Sequence, residues 1–199
     1  MSKINSVILL AAGDSTRMGF PKALLKIKNK ALLDLQIDTI LKLNKTPIVV
    51  LGKLHKEILD ALPEIKNKSK IIVNSHPNRG QFSSLRLALQ EIQRGEGAFV
   101  LTLDTPAPPP EVWTKLENNL NSHKVVVPKF QEKGGHPVLL SSLFVEKLIS
   151  EEIPEAEQRL DLQIRKLRGN EAGYVIVEND NILVDLDTPE DKEAYFKCL

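Results

Sequence analysis

The sequence predicts an α/β fold built on a mainly parallel, mixed sheet with helices on both faces, a three-layer α/β/α sandwich. Short, almost continuously apolar runs recur along the chain, and amphipathic stretches of helical period separate them. A run that is apolar at every position, without alternation, belongs in a sheet covered on both faces. A loop rich in small residues follows the first run directly, and it marks the sheet edge where a ligand would sit.

The predicted strands are Val7–Leu10, Pro47–Leu51, Ile71–Asn74, Phe99–Leu103, Val125–Pro128, Val138–Leu140 and Tyr174–Val177. The predicted helices begin with Ala31–Leu43, where Leu33, Ile37, Ile40 and Leu41 form a stripe. They continue with Lys56–Leu62, Ser83–Gln93, Glu111–Leu120, Leu143–Ser150, Glu155–Leu167 and Pro189–Lys197. Thr105–Pro110 holds four prolines in six residues and is therefore a loop. It lies where a strand ends, beside the loops expected after Leu10 and Leu51.

The 199 residues suit a single domain spanning 1–199, and 42% apolar residues are enough for a sizeable core. Lys and Arg number 27 against 26 Asp and Glu, a formal net charge of +1. That balance excludes bulk electrostatic attraction to nucleic acid or to an anionic membrane surface. One cysteine, Cys198, excludes an intrachain disulfide framework and a cysteine metal cluster. The apolar run Val7–Ala12 is shorter than the roughly 7–15 residues of a signal-peptide core. No run approaches the roughly 18 residues of a membrane span, so a cytoplasmic protein is expected.

The segment Leu10-Ala11-Ala12-Gly13-Asp14-Ser15-Thr16-Arg17-Met18-Gly19-Phe20-Pro21-Lys22 carries the most chemistry. Small residues let backbone N–H groups close around an anion. Arg17 can add a bidentate fork and Lys22 a compact charge. The spacing is neither that of a Walker P-loop nor the glycine fingerprint of a dinucleotide-binding turn. On residue types alone, an ordinary strand-to-helix loop with two solvated charges fits equally well.

Leu10-Ala11-Ala12-Gly13-x-Ser15-x-Arg17-Met18-Gly19, with Pro21-Lys22, closely resembles the signature of the MobA-like nucleotidyltransferases. It is most similar to the molybdenum cofactor cytidylyltransferase branch. Further segments follow in the family's order. Asn74 with Gly80-Gln81-x-Ser83-Ser84-Leu85 resembles the segment that cradles nucleobase and ribose. Leu103-Asp104-Thr105-Pro106 resembles the Gly-Asp-x-Pro turn whose Asp binds a catalytic metal. Gly135-His136-Pro137-Val138-Leu139 and Asp185-Leu186-Asp187-Thr188-Pro189-Glu190-Asp191 resemble the last two motifs. Two places depart from the family: Leu103 stands where glycine is common, and Pro154–Arg168 lacks a Gly-Asp-x-Gly-type segment.

The resemblance implies a nucleotide-diphospho-sugar transferase-like fold and transfer of a nucleoside monophosphate to a phosphorylated acceptor, with release of pyrophosphate. It implies Leu10, Ala11, Ala12, Gly13, Ser15, Arg17, Lys22, Asn74, Gly80 and Ser84 as nucleotide-binding residues, with Arg17, Lys22 and Asp104 at the reaction itself. CTP is expected ahead of GTP, because the Ala-Ala-Gly opening and Gln81–Leu85 look more like the cytidine-using branch. Molybdopterin cofactor is the expected acceptor. A sugar, polyol or choline phosphate is the alternative, as is a nucleotide-binding protein without turnover.

Residue chemistry agrees with that class. A triphosphate needs cations and a divalent metal, and Mg²⁺ takes one or two carboxylates plus phosphate and water. Asp104, at a predicted strand end, is the first candidate ligand. Asp187 is the second, although an Asp before Pro189-Glu190-Asp191 also makes a helix cap. His136 is the candidate for the acceptor pocket, with backbone hydrogen bonding as its ordinary role. His55, His76 and His123 show no metal spacing. Arg159, Arg165, Lys166 and Arg168, mixed with Glu155, Glu157 and Asp161, read as a solvated face. Trp113 reads as a packing anchor.

Overall fold

The computed structural model describes residues 4–13, 20–27, 29–186 and 191. Its strands are β1 (Ile4–Ala11), β2 (Lys26–Ile27), β3 (Lys30–Ala31), β4 (Thr46–Leu51), β5 (Lys70–Val73), β6 (Gly97–Thr102), β7 (Val125–Phe130), β8 (Lys133–Gly134), β9 (Val138–Leu140) and β10 (Ala172–Ile176). Its α-helices are α1 (Leu32–Lys42), α2 (His55–Ala61), α3 (Ile65–Lys68), α4 (Gln81–Leu89), α5 (Pro110–Asn118), α6 (Ser142–Ser150) and α7 (Leu160–Arg165).

The main sheet runs β10-β7-β9-β6-β1-β4-β5, with β8 paired to β7. β1 pairs parallel with β4 and β6, β5 with β4, and β10 with β7. Only β9 and the short β8 run antiparallel to their neighbours. Successive residues of a strand face opposite sides, so Val7, Leu9 and Ala11 enter one core while Ile8, Leu10 and Ala12 enter the other. The first core is closed by α1 and α5, the second by α4 and α6. This is the three-layer sandwich with a mainly parallel sheet that the apolar runs imply.

Helix ends follow local chemistry. Ser141 caps α6, its Oγ accepting from the Phe144 N–H. Pro110 opens α5 with Glu111 in the first turn. Asn44, at φ 55°, ends the turn after α1 in the left-handed region asparagine tolerates.

The predicted strands and helices occur, with one correction and one segment outside the described residues. The helix expected over Glu155–Leu167 is two pieces, a 3₁₀ turn at Glu155–Glu157 and α7. Arg159 between them is extended, and buried Gln163 reaches back to donate to the Glu157 carbonyl. Of the helix expected over Pro189–Lys197, only Asp191 is among the described residues.

The hairpin β2–β3 was not predicted. It is fastened to α1 and α3 by a cluster in which Lys30 and Lys68 both contact Asp34 and Asp38. No helix among the described residues is long and apolar enough to cross a membrane.

Candidate active site

Parallel strands end at one edge, and the register sets which residues meet there. Ala11 pairs with Leu51 and Leu10 with Thr102. The Leu103 N–H extends the ladder to the Leu10 carbonyl at 3.1 Å. Leu10, Ala11 and Ala12 are buried and Gly13 is exposed, so the chain reaches solvent at the start of the small-residue loop. Gly52, just beyond β4, lies against this point. A Cβ there would overlap the Ala12 carbonyl.

Lys22 opens the 3₁₀ turn Lys22–Leu24, and its Nζ comes within 3.5 Å of Asp104 Oδ2. Asp104 follows β6 in a tight turn in which the Thr105 N–H donates to the Thr102 carbonyl and their hydroxyls meet at 3.0 Å. The Asp104 carbonyl accepts from the Leu186 N–H at 3.0 Å. Next along this C-terminal segment, the Ile182 carbonyl accepts from the His136 N–H at 3.0 Å. Gly135 is required for that approach, because a Cβ would overlap Ile182. Leu186 and Ile182 are both buried, so the segment crosses beside Asp104 as a packed strap.

His136 reaches the same edge because β9 runs antiparallel and begins there. Its peptide bond to Pro137 is cis. A carbonyl only accepts, so Nδ1, 3.3 Å from the Val100 oxygen, carries the proton and Nε2 presents a lone pair. Burial holds the imidazole pKa below its ordinary value, against the Val100 carbonyl and the Asp104 charge.

A cavity of about 300 Å³ lies between Thr102, Asp104, Thr105, His136 and Asp185. A second, of about 570 Å³, shares Gln81, Gly135 and His136 with it. This second cavity runs on between Leu10, Gly80, Phe82, Arg159, Arg165 and Tyr174. Arg159 and Arg165 are paired with Asp161, as a solvated face would be, yet they also line this cavity's mouth. A hollow of about 810 Å³ by Ile4, His123 and Glu171 lies at the opposite edge, away from every motif residue.

Asn74 and Ser84 are brought together but are committed to each other. Asn74 Nδ2 donates to Ser83 Oγ and Ser84 Oγ at 2.9 Å each, and its Oδ1 accepts from the His76 N–H. Gly80, at φ 87°, turns the chain into α4 in a conformation other residues rarely adopt. The expected Ser15, Arg17 and Asp187 lie outside the described residues. Trp113 is the anchor expected, buried edge-on to Phe99 with centroids 4.8 Å apart.

The oxygen donors around Asp104 suit a hard divalent cation: a carboxylate, a second at Asp185 and two hydroxyls, with the His136 imidazole beside them. No group of three or more His, Cys, Asp or Glu side chains assembles among the described residues. Phosphate and water would complete the shell, as Mg²⁺ prefers. Gln36 and Gly52 were missed in the sequence. The only signal for Gln36 is a polar residue among the apolar positions of α1.

Comparisons with known proteins place this architecture. The chain is 29% identical over 202 residues to the molybdenum cofactor cytidylyltransferase of Escherichia coli, covering 98% of each. It is 29% identical over 123 residues, 61% of this chain and 60% of the other, to a "probable molybdenum cofactor guanylyltransferase" of Geobacillus. The solved structure of Rv0371c from Mycobacterium tuberculosis superposes with a TM-score of 0.81 at 22% identity over 98% of both chains. Its complex with manganese gives 0.76 at 20% identity over the full length of both. The model of the MobA-like NTP transferase domain matches residues 7–170, from within β1 through α7, and the chain belongs to that family of nucleotidyltransferases.

Proposed function

We propose that the chain, acting as one catalytic domain, transfers CMP from CTP to a phosphorylated small-molecule acceptor of the molybdopterin type and releases pyrophosphate. The observation that carries this reading is the Lys22–Asp104 pair at 3.5 Å, with Asp104 lining the smaller cavity. Over the same 98% of this chain, identity is 29% to the cytidylyltransferase and 24% to a probable guanylyltransferase, which favours CTP.

Backbone amides of Ala12 and Gly13, with Ser15 and Arg17, bind the β- and γ-phosphates. Leu10, Ala11 and Gly80 read the base with backbone groups, while Asn74 and Ser84 fix the start of α4 beneath it. An oxygen of the acceptor phosphate attacks the α-phosphorus in line as the bond to pyrophosphate breaks. Lys22 stabilises the negative charge that grows on the α-phosphoryl oxygens. That attacking oxygen is already anionic near neutral pH, so no general base is needed. Asp104 and Asp187 would hold Mg²⁺, which neutralises phosphate charge when bound. His136 offers Nε2 to a donor on the acceptor. We place the protein in the cytoplasm with other soluble biosynthetic enzymes.

Thermal unfolding in Mg²⁺ with each nucleoside triphosphate in turn tests this. CTP at about a hundred times its Kd should add roughly 2.7 kcal/mol of apparent stability. Pyrophosphate release should then require the acceptor. No stabilisation by any nucleotide overturns the reading, and a GTP-selective shift replaces CMP by GMP.

A further inference from the structure

The turn that carries Asp104 is short of ladder hydrogen bonds. Pro106, Pro108, Pro109 and Pro110 have no N–H, so Ala107 supplies the sole backbone donor across 106–110. Gln36, on α1, takes that donor. Its Oε1 accepts from the Ala107 N–H at 3.1 Å, and its Nε2 donates to the Thr105 carbonyl at 2.7 Å. The side chain is 1% exposed, among the apolar neighbours that α1 turns to the sheet. A buried amide with no partners would destabilise such a helix, and here both ends are met by one turn. Leu186 fastens the other side through the Asp104 carbonyl.

We propose that Gln36 is a positioning residue for the reaction, holding the Thr105–Ala107 turn so that the Asp104 carboxylate faces Lys22 and a divalent cation. The proposal rests on the reading of Asp104 as a metal ligand. It goes beyond that reading by assigning the geometry to a residue of a different element that touches no substrate. A ligand carboxylate must be held to within about 0.5 Å, and side chains behind it commonly set metal affinity. The amide pattern is specific: leucine or methionine would fill the space yet leave Thr105 and Ala107 unpaired.

Binding of Mn²⁺ alone, followed by electron paramagnetic resonance, tests the proposal on Gln36→Met and Gln36→Glu. Gln36→Met should weaken Mn²⁺ binding about tenfold. The Leu186 amide should also exchange with solvent faster, while amides of β1 keep their protection. In Gln36→Glu the ionised carboxylate repels the Thr105 carbonyl, whereas the protonated acid again offers one donor and one acceptor. Mn²⁺ affinity relative to wild type should therefore be low where this carboxyl is ionised and recover as pH falls, because burial raises a carboxyl pKa.

A purely packing role predicts wild-type Mn²⁺ affinity and Leu186 exchange in both variants at every pH, whatever their melting temperatures. That result overturns the proposal. If Gln36→Met does not fold, the pH dependence of Gln36→Glu decides alone. If wild-type protein binds no Mn²⁺, the reading of Asp104 fails. Exchange at Leu186 then judges Gln36: acceleration in Gln36→Met supports its hold on the turn, and no change overturns it.

Discussion

The ammonium of Lys22 stands 3.5 Å from the carboxylate of Asp104, although the two belong to separate loops after different strands. Their side chains are 12% and 32% exposed, so the ammonium is largely sheltered while the carboxylate reaches the cavity it lines. Opposite charges held at one strand edge suit a reaction in which anionic phosphate oxygens and a cation must be arranged together.

Lys22→Ala should lower kcat by about 10²–10³-fold. Lys22→Arg should recover part of the rate. Pyrophosphate release measured at saturating CTP and metal checks this, and a wild-type rate in Lys22→Ala would remove that residue from the reaction.

Gly52→Ala should disturb the nucleotide loop from behind. The added Cβ must displace the Ala12 carbonyl, at a cost of about 1–3 kcal/mol in stability. Gly13→Ala is the contrast, because nothing lies within 4 Å of a Cβ there. Calorimetric titration with CTP and urea unfolding should show both losses in Gly52→Ala. In Gly13→Ala only the affinity for nucleotide should fall.

His136 should stay neutral in the folded protein at pH values below its ordinary pKa, because burial lowers it. Because folding lowers its pKa, the stability it contributes is complete above the unfolded value of 6.5 and is lost as pH falls beneath it. Urea unfolding of wild type and His136→Gln across this window should give curves that converge towards acid. Parallel curves would contradict the assignment, and titration of the ring by NMR gives the direct reading.

The cluster around Asp38 should fail at both extremes of pH. Burial raises the Asp38 pKa, but hydrogen bonds from Lys30 and Lys68 outweigh it and hold the carboxyl below 3.8. Its contribution is therefore present above 3.8 and lost as pH falls through the lower folded value. Lys30 is raised above 10.5 chiefly by its bond to Asp38, and Lys68 chiefly by its bond to Asp34. Their share is present below 10.5 and lost as pH rises through the folded values. Asp38→Asn should flatten both limbs in a melting-temperature profile.

Sequence and structure agree where burial writes a pattern. β1, β4 and β6 are covered on both faces, so they stand out as apolar runs, and their ends mark the ligand edge. β2, β3 and β8 are two residues each, too short for any period to register. The gap in the helix expected over Glu155–Leu167 depends on Gln163 bonding backwards, which no hydrophobic period reports. Lys22 and Asp104 came forward because their segments resemble the family signature, and Asp104 also because it ends a predicted strand. Gln36 was not, since its partners Thr105 and Ala107 lie 69 and 71 residues away along the chain. Gly52 reveals itself only through the closeness of Ala12.

The strap from Ile182 to Leu186 gives the site a timetable. During synthesis the sheet strands that flank Asp104 emerge early, since domains assemble from the N-terminal side onward. Asp104 nevertheless waits for Leu186 before its carbonyl is held, and His136 waits for Ile182. A nascent chain stalled before residue 180 would carry most of its sheet, yet would lack the groups that hold the Asp104 carbonyl and the His136 N–H.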